Sequence, residues 1–484
     1  MRRRLPGVLV VLAAIVLLAV FARDTPAPAA ARFSITAEGW MPSAPPAGGL
    51  LESWFCPGVP ATGEDGVEGA VLVTNRGETQ LTGTILVIND QGETRRLDLT
   101  VEPWSTSTLD LDATLPSRAV GAVVEIEGGG ALVEQRSFDP DGNSSSACAN
   151  ATSDQWYLAD GFTVDGSLDE VVLSNPFEQT VVVDIAFATK DGYREPGSYK
   201  GLTVPPRSIR LIDLGAPGAG AQSEPILAVD IQVVRGRLAV GRVQRFTGGG
   251  RAGTQVTLAQ PATREQWWFA DGDKGPGIDE QFVIYNPTGE TVEADVLFIG
   301  IDQPVEQQTA VLADPIVVLP RQAVVYESGP EARLGEGGHA TVVAEATSSP
   351  SLVVERVTTV DDGDDTGTSV LAGAVARQDG HVAQRWYVAQ GPDEVAEDAL
   401  VLYNVDNTEG TVTVSVVGQS GPVPISGLTD VPYGPAQRIE LDLTDPLVVG
   451  RPLVIEATNR VFVETKFPNG VGALRTAAWA IPEG

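Results

Sequence analysis

The stretch QWYLADG at residues 155–161 returns as QWWFADG at 266–272 and as RWYVAQG at 385–391. A shorter relative, SWFCPG, stands at 53–58. Each copy leads into an asparagine-centred turn: VTNRG at Asn75, LSNPF at Asn175, IYNPT at Asn286 and LYNVD at Asn404. An alternating run comes after each turn. Val181, Val183, Ile185 and Phe187 share one face, as do Val292, Ala294, Val296 and Phe298, and then Val412, Val414 and Val416. TGTILVINDQG is the counterpart in the first copy. A period of two with β-branched residues predicts half-buried strands.

Next comes a strand, a proline turn and another strand: LTVEPWSTSTLDL, LTVPPRSIRLIDL, IVVLPRQAVVYES and TDVPYGPAQRIELDL. Proline lacks the N–H of a sheet ladder, so it belongs at the turn or an edge. Each unit ends with a late apolar strand (ALVEQRSF, LAVGRVQRF, LVVERVTT, VFVETKF) and a short closing one (SSACAN, TQVTLAQP, SVLAGAVA, ALRTAAWA). No run has a helical period.

The pattern predicts an all-β fold of four tandem immunoglobulin- or fibronectin-like β-sandwiches, at 50–153, 154–263, 264–383 and 384–484. A four-bladed propeller is the alternative topology, although its blades normally hold four strands in about 40 residues. Strands of about ten residues give units of roughly 35 Å, and four end to end a rod on the order of 120 Å. Trp54, Trp156, Trp267 and Trp386 are expected to plug the cores near domain junctions. Gly58, Gly161, Gly272 and Gly391 are expected to supply a backbone angle or bulge.

The N-terminus places Arg2, Arg3 and Arg4 before an apolar run from Val8 to Ala22. That charge order predicts export of the rest of the chain. The run reaches about 22 Å as a helix, against about 30 Å for a bilayer core. Residues 1–24 are therefore read as a signal peptide or membrane anchor, with cleavage left open, and the Ala/Pro-rich 25–49 as a linker. The expected location is extracytoplasmic, secreted or anchored to the cytoplasmic membrane. The two cysteines, Cys56 and Cys148, are read as one disulfide stapling the ends of the first sandwich. A formal charge of −32 argues against nucleic acid or an anionic membrane surface as partner.

The combination W-aromatic-x-A-D-G, D-E before N-P, V-P-P-R-S and V-V-E-R resembles repeats in surface proteins of actinobacteria and related groups, known only as a domain of unknown function. It is clearest in WYLADG, LDEVVLSNP, WWFADG and IDEQFVIYNP; the first unit departs with WFCPG, the fourth with Gln390 and YNVD. The resemblance implies secreted or membrane-anchored proteins of the envelope built from β-sandwich repeats. It implies no known activity.

The sharpest chemical candidates are Asp160, Asp169 and Glu170, with Asp271, Asp279 and Glu280 one unit on. Three acids around a glycine loop suit Ca²⁺, which takes oxygen ligands, or a hydrolytic acid pair. The competing account has them bonding loop amides. The loops DPDGNSSS at Asp139 and DDGDDTGT at Asp361 lack full calcium-loop spacing and are read as solvated turns. Glu134, Glu355 and Glu464 are read as solvent-facing strand residues. His339 and His381 fall in loops at unmatched places, which disfavours a catalytic triad. TGGGRAG near Gly248 is read as a loop. Tyr157, Trp268 and Tyr387 come directly after the core tryptophans, where they would stack on sugars or bury against a neighbouring domain.

These readings predict a non-enzymatic envelope protein without a cofactor: a scaffold or binding rod for wall polymer or a partner protein. The rival expectation is a carbohydrate-active or Ca²⁺-dependent surface protein using the Asp/Glu loops.

Overall fold

The computed structural model describes residues 41–45, 50–301, 310–347, 349–363, 365–376, 382–418, 420–470 and 475–484. The signal or anchor segment at 1–24, most of the linker and His381 lie outside them. Thr36–Gly484 forms one compact unit. Among the described residues no helix is long and apolar enough to cross a membrane.

The chain is all-β. In the first repeat the strands are β1 (Leu51–Ala61), β2 (Glu68–Asn75), β3 (Leu81–Asn89), β4 (Thr94–Val101), β5 (Thr106–Asp110), β6 (Ser117–Glu127), β7 (Ala131–Phe138) and β8 (Ser144–Ala147). They form two antiparallel sheets, ordered β1-β6-β3-β4 and β5-β2-β7-β8. The later segments repeat the second of these orders. Leu168–Asn175, Ala239–Gly248 and Arg251–Leu258 take the places of β2, β7 and β8; so do Ile278–Asn286, Val353–Asp361 and Thr366–Ala372, then Ala396–Asn404, Val461–Pro468 and Arg475–Trp479.

This order departs from the immunoglobulin expectation, in which the first strand flanks the second. Here β1 flanks β6, and β7 crosses to flank β2. The crossing runs through Gly128, Gly129 and Gly130, with φ of 87°, 70° and 102°. Only glycine takes that backbone without a steric cost, so the chain changes sheets where a hairpin would otherwise form.

The asparagine turns are clamps. Asn286 donates from Nδ2 to the carbonyls of Glu290 (2.7 Å), Val318 (3.1 Å) and Leu319 (3.3 Å), and its Oδ1 accepts from Thr288 N (3.0 Å). Asn75 and Asn175 make the same set, and Asn404 all but one of it. Each clamp ties its own turn to the proline turn of its unit. The residue after that proline turn's corner has positive φ in all four: Trp104, Arg207, Arg321 and Ala436. Their N–H groups donate to Gly77, Phe177, Thr288 and Asp406 carbonyls, which holds the strained corner in place. Asn286→Ala leaves buried carbonyls unpaired and is expected to cost about 3 kcal/mol, read from urea unfolding.

All four tryptophans are 0–1% exposed. Trp156, Trp267 and Trp386 donate from the indole to Leu238, Leu352 and Ala383 carbonyls, and Trp54 to Glu52. Of the motif glycines only Gly58 needs a positive φ (135°). The other three are required by close approach: a Cβ would lie 2.3 Å from Leu227 O at Gly161, 2.6 Å from His339 Nε2 at Gly272 and 2.3 Å from Val448 O at Gly391.

Candidate functional site

The closing strands bring the repeats together. β8 packs on Arg251–Leu258, which packs on Thr366–Ala372; that strand packs on Arg475–Trp479, which returns to β8. The contacts close in a cycle, so the collinear rod expected from the sequence is wrong. Hydroxyl groups clip these strands to one another. Ser144 Oγ accepts from Val256 N (3.0 Å), Thr368 Oγ1 from Ala252 N (3.3 Å) and Ser369 Oγ from Ala477 N (3.1 Å), and Thr476 Oγ1 donates to Asn143 O (2.6 Å).

The tryptophan-led motif docks each repeat on the next. The backbone N–H of Asp160 donates to Glu355 Oε2 (2.6 Å). Those of Ala270 and Asp271 donate to Glu464 Oε2 (both 3.1 Å), and that of Ala389 to Glu134 Oε1 (3.3 Å). Glu134, Glu355 and Glu464 are therefore buried acceptors at junctions, not the solvent-facing residues expected. Alternation misplaced them because their strands are buried on both faces. At the remaining junction Pro57 has no N–H to give. The facing residue, at the strand place the glutamates hold elsewhere, is Gly241, where a Cβ would lie 3.0 Å from Pro57 Cβ. A lost donor on one side is matched by a lost acceptor on the other.

Two of the glutamates also carry a guanidinium from the preceding repeat. Arg242 Nη2 meets Glu355 Oε2 at 3.0 Å, and Arg356 pairs with Glu464. Burial pushes the Glu355 carboxyl above its ordinary range, opposed by Arg242 and the Asp160 amide. Burial likewise raises Glu134, opposed by Arg136 on the same strand and the Ala389 amide.

The motif acids are held by cations. Asp160 accepts two bonds from Arg251 Nη1 (2.9 and 3.1 Å). Asp271 meets Arg438 at 2.7 Å and Lys466 at 3.4 Å. Burial raises Asp271, but Lys466 and Arg438 outweigh it and hold the carboxyl well below its usual value. Asp169 Oδ2 accepts from Phe162 N (2.9 Å) and Gln244 Nε2 (3.3 Å). Glu170 meets Arg118 of the first repeat at 2.7 Å. Glu280 and His339 share a 2.9 Å contact, and His339, in the link between Gly337–Gly338 and Ala340–Glu345, is buried. Asp279 is exposed and bonded to Gln281 at 2.8 Å.

The two acid triads are not equivalent. Counted from the clamp asparagines, Asp169 corresponds to Glu280, and Glu170 to Gln281; Asp279 has Leu168 as its counterpart. The shared Asp-Glu pair in the sequence is out of register by one. Asp169 and Glu280 each press on the motif glycine, their oxygens 2.9 Å from where its Cβ would be. Among the described residues no three His, Cys, Asp or Glu side chains gather as a metal-holding group. Of the acidic loops, Asp139 pairs with Arg245 of the second repeat, while Asp361 and Asp362 cap their own turn. Gly249 and Gly250, with φ of 63° and 85°, form a tight hairpin in TGGGRAG.

The aromatic residues of the motif pack on the following repeat. Phe55 lies 6.5 Å from Phe177, and Trp268 stacks on Phe462 (5.3 Å) and Tyr403 (6.0 Å). Tyr157 is buried in the core that includes Tyr285. Tyr387 lies under Arg76, 5.0 Å from its ring, and donates to Glu483 at 3.0 Å. Tyr157 and Tyr387 are buried at these junctions, and Trp268 is half-buried. Sequence reasoning missed the arginines Arg242, Arg251, Arg356 and Arg438. The available signal was an arginine next to an acid or another polar residue inside a valine-rich strand, as in VVERV.

Burial raises Asp169 to about 7 from 3.8, against the opposing pull of Arg242. A raised acid binds its proton in the folded state first, so its stabilisation is full below about pH 4 and is lost as pH rises to about 7. Asp169→Asn should remove that slope. The difference between wild type and variant across the window is expected to reach about 4 kcal/mol in denaturant titrations.

Residues 134–263 match the model of a family described as a family of unknown function, DUF5719. The matched stretch begins at Glu134 and runs through the second repeat. No curated protein matches the chain. Among solved structures, one titled "Crystal Structure of Thermotoga maritima 1070" aligns at 15% identity and a TM-score of 0.20, over 23% of this chain and 93% of its own. A tetra-tandem repeat from the extending region of a large adhesion protein aligns at 12% identity and a TM-score of 0.09, over 85% of this chain and 94% of its own. Neither score bears on the fold.

Proposed function

We propose that the chain is a non-enzymatic extracytoplasmic protein of the cell envelope, in which four tandem two-sheet repeats form a closed platform that presents its outer loops to wall polymer or a partner protein. The observation that carries this reading is the use of the repeated polar residues. Asp271, Glu355 and Glu464 are consumed in holding one repeat to the next, and Asp160 in pairing with Arg251 of its own repeat. Function then falls to the exposed loops, as it does on other rigid β scaffolds. The disulfide between Cys56 and Cys148 supports an oxidising compartment. The formal charge of −32 supports a partner that is neither nucleic acid nor anionic lipid.

The carbohydrate-active reading would need two carboxylates on a common cleft. Asp279 is exposed while Glu280 is buried on His339, which favours the platform. Co-sedimentation with purified peptidoglycan, together with glycan arrays, tests the binding role. Saturable retention is expected. Release of reducing sugar from any of these polymers would contradict the reading. The Ca²⁺ reading is tested by melting in EDTA against millimolar Ca²⁺, where this proposal expects no shift.

A further inference from the structure

The fourth repeat meets the first at a junction whose motif lacks the aspartate, the carboxylate there being Glu134 of the first repeat. In register, Asn75 pairs with Ala131 and Asn404 with Val461, so Arg136 and Lys466 hold the same strand place in their repeats. Lys466 finds Asp271 of the preceding motif. Arg136 finds Gln390, which stands where the other two full-length copies of the motif have aspartate. Its Nη2 donates only to the Gln390 carbonyl (2.9 Å), and its ion pair with the exposed Asp393 is loose at 3.7 Å. Among the described residues Arg136 Nε has no hydrogen-bond partner. Arg136 lines a small open pocket whose other walls include Phe138, Pro392, Phe467 and Pro468.

We propose that this pocket binds a small organic carboxylate on a compact apolar stem, the ligand's carboxylate taking the place that Asp271 fills one junction earlier. A planar guanidinium matches a carboxylate, and the phenylalanine and proline walls match an apolar body. Asp393 is the internal competitor that the ligand displaces. The site stands whether or not the platform role holds.

The test uses the full chain and titrates benzoate and N-acetyl-L-phenylalanine by calorimetry, with N-acetyl-L-phenylalanine amide and inorganic phosphate alongside. Saturable binding of the two carboxylates, and none of the amide, is expected. Gln390→Asp supplies the missing acid from within and should weaken binding at least tenfold while raising the melting temperature. Asp393→Asn should tighten it several-fold, and Arg136→Gln should abolish it. Absence of saturable binding to the wild type would overturn the proposal. So would equal affinity in Gln390→Asp, or binding of phosphate in preference to both carboxylates.

Discussion

Glu355→Ala is expected to destabilise the protein by about 3–5 kcal/mol, because it strands a buried guanidinium. Arg242 is fully buried, and its hydrogen-bonded anion is Glu355, 3.0 Å away. The same truncation also orphans the Asp160 amide, which donates to Glu355 at 2.6 Å. Two effects add at one position, and both lie on a junction between repeats rather than inside a core. Replacing the pair together, Glu355→Leu with Arg242→Met, should recover most of the loss, since apolar groups of similar size need no counter-charge. Glu464→Ala should behave like Glu355→Ala through Arg356. Glu134→Ala should cost less, because its hydrogen bond is to the Ala389 amide and the nearby Arg136 keeps the Gln390 carbonyl and Asp393 as partners. Chemical denaturation of the three variants checks the order; a Glu134 loss as large as that of Glu355 would show that charge pairing is not what secures these junctions.

Removal of the disulfide ranks next. Cys56 and Cys148 are 92 residues apart, and the bond closes nearly the whole first repeat. In the chain-entropy model a loop of that length stabilises by about 4–5 kcal/mol. Cys56→Ser with Cys148→Ser is expected to lose that amount. The location of the bond adds a second consequence. β1 carries the motif that docks on the second repeat, and Phe55 exchanges backbone bonds with Ala149. Without the bond the first repeat should open before the others. Hydrogen exchange would detect this as early loss of protection in 51–149 while 266–376 stays protected.

The strands and the four-fold recurrence were legible because they rest on local rules: a period of two, proline at corners, asparagine at turns. The disulfide was legible from cysteine count. The order of strands within each repeat was not, since the Gly128–Gly130 crossing that moves β7 to the other sheet looks like any glycine turn in sequence. The cyclic closure was hidden for a similar reason. Short connections between repeats are compatible with a line or a ring, and the residues that choose between them read as surface acids. Glu355 is polar in a strand, and alternation points a polar residue outward by default. Only a partner distant in sequence, Arg242, offsets the cost of its burial. Asp279 and Glu280 misled through a one-residue slip, because the matched letters Asp-Glu drew the eye from the register set by Asn175 and Asn286.

Small-angle scattering of the chain from Thr36 to Gly484 tests the closure itself. A compact unit of this length has a radius of gyration of about 22–25 Å. Four repeats in a line of about 120 Å would give about 35 Å. A value in the lower range, unchanged up to the unfolding transition, is the result that closure of the fourth repeat on the first requires. A value near the upper one, with a long tail in the distance distribution, would contradict it.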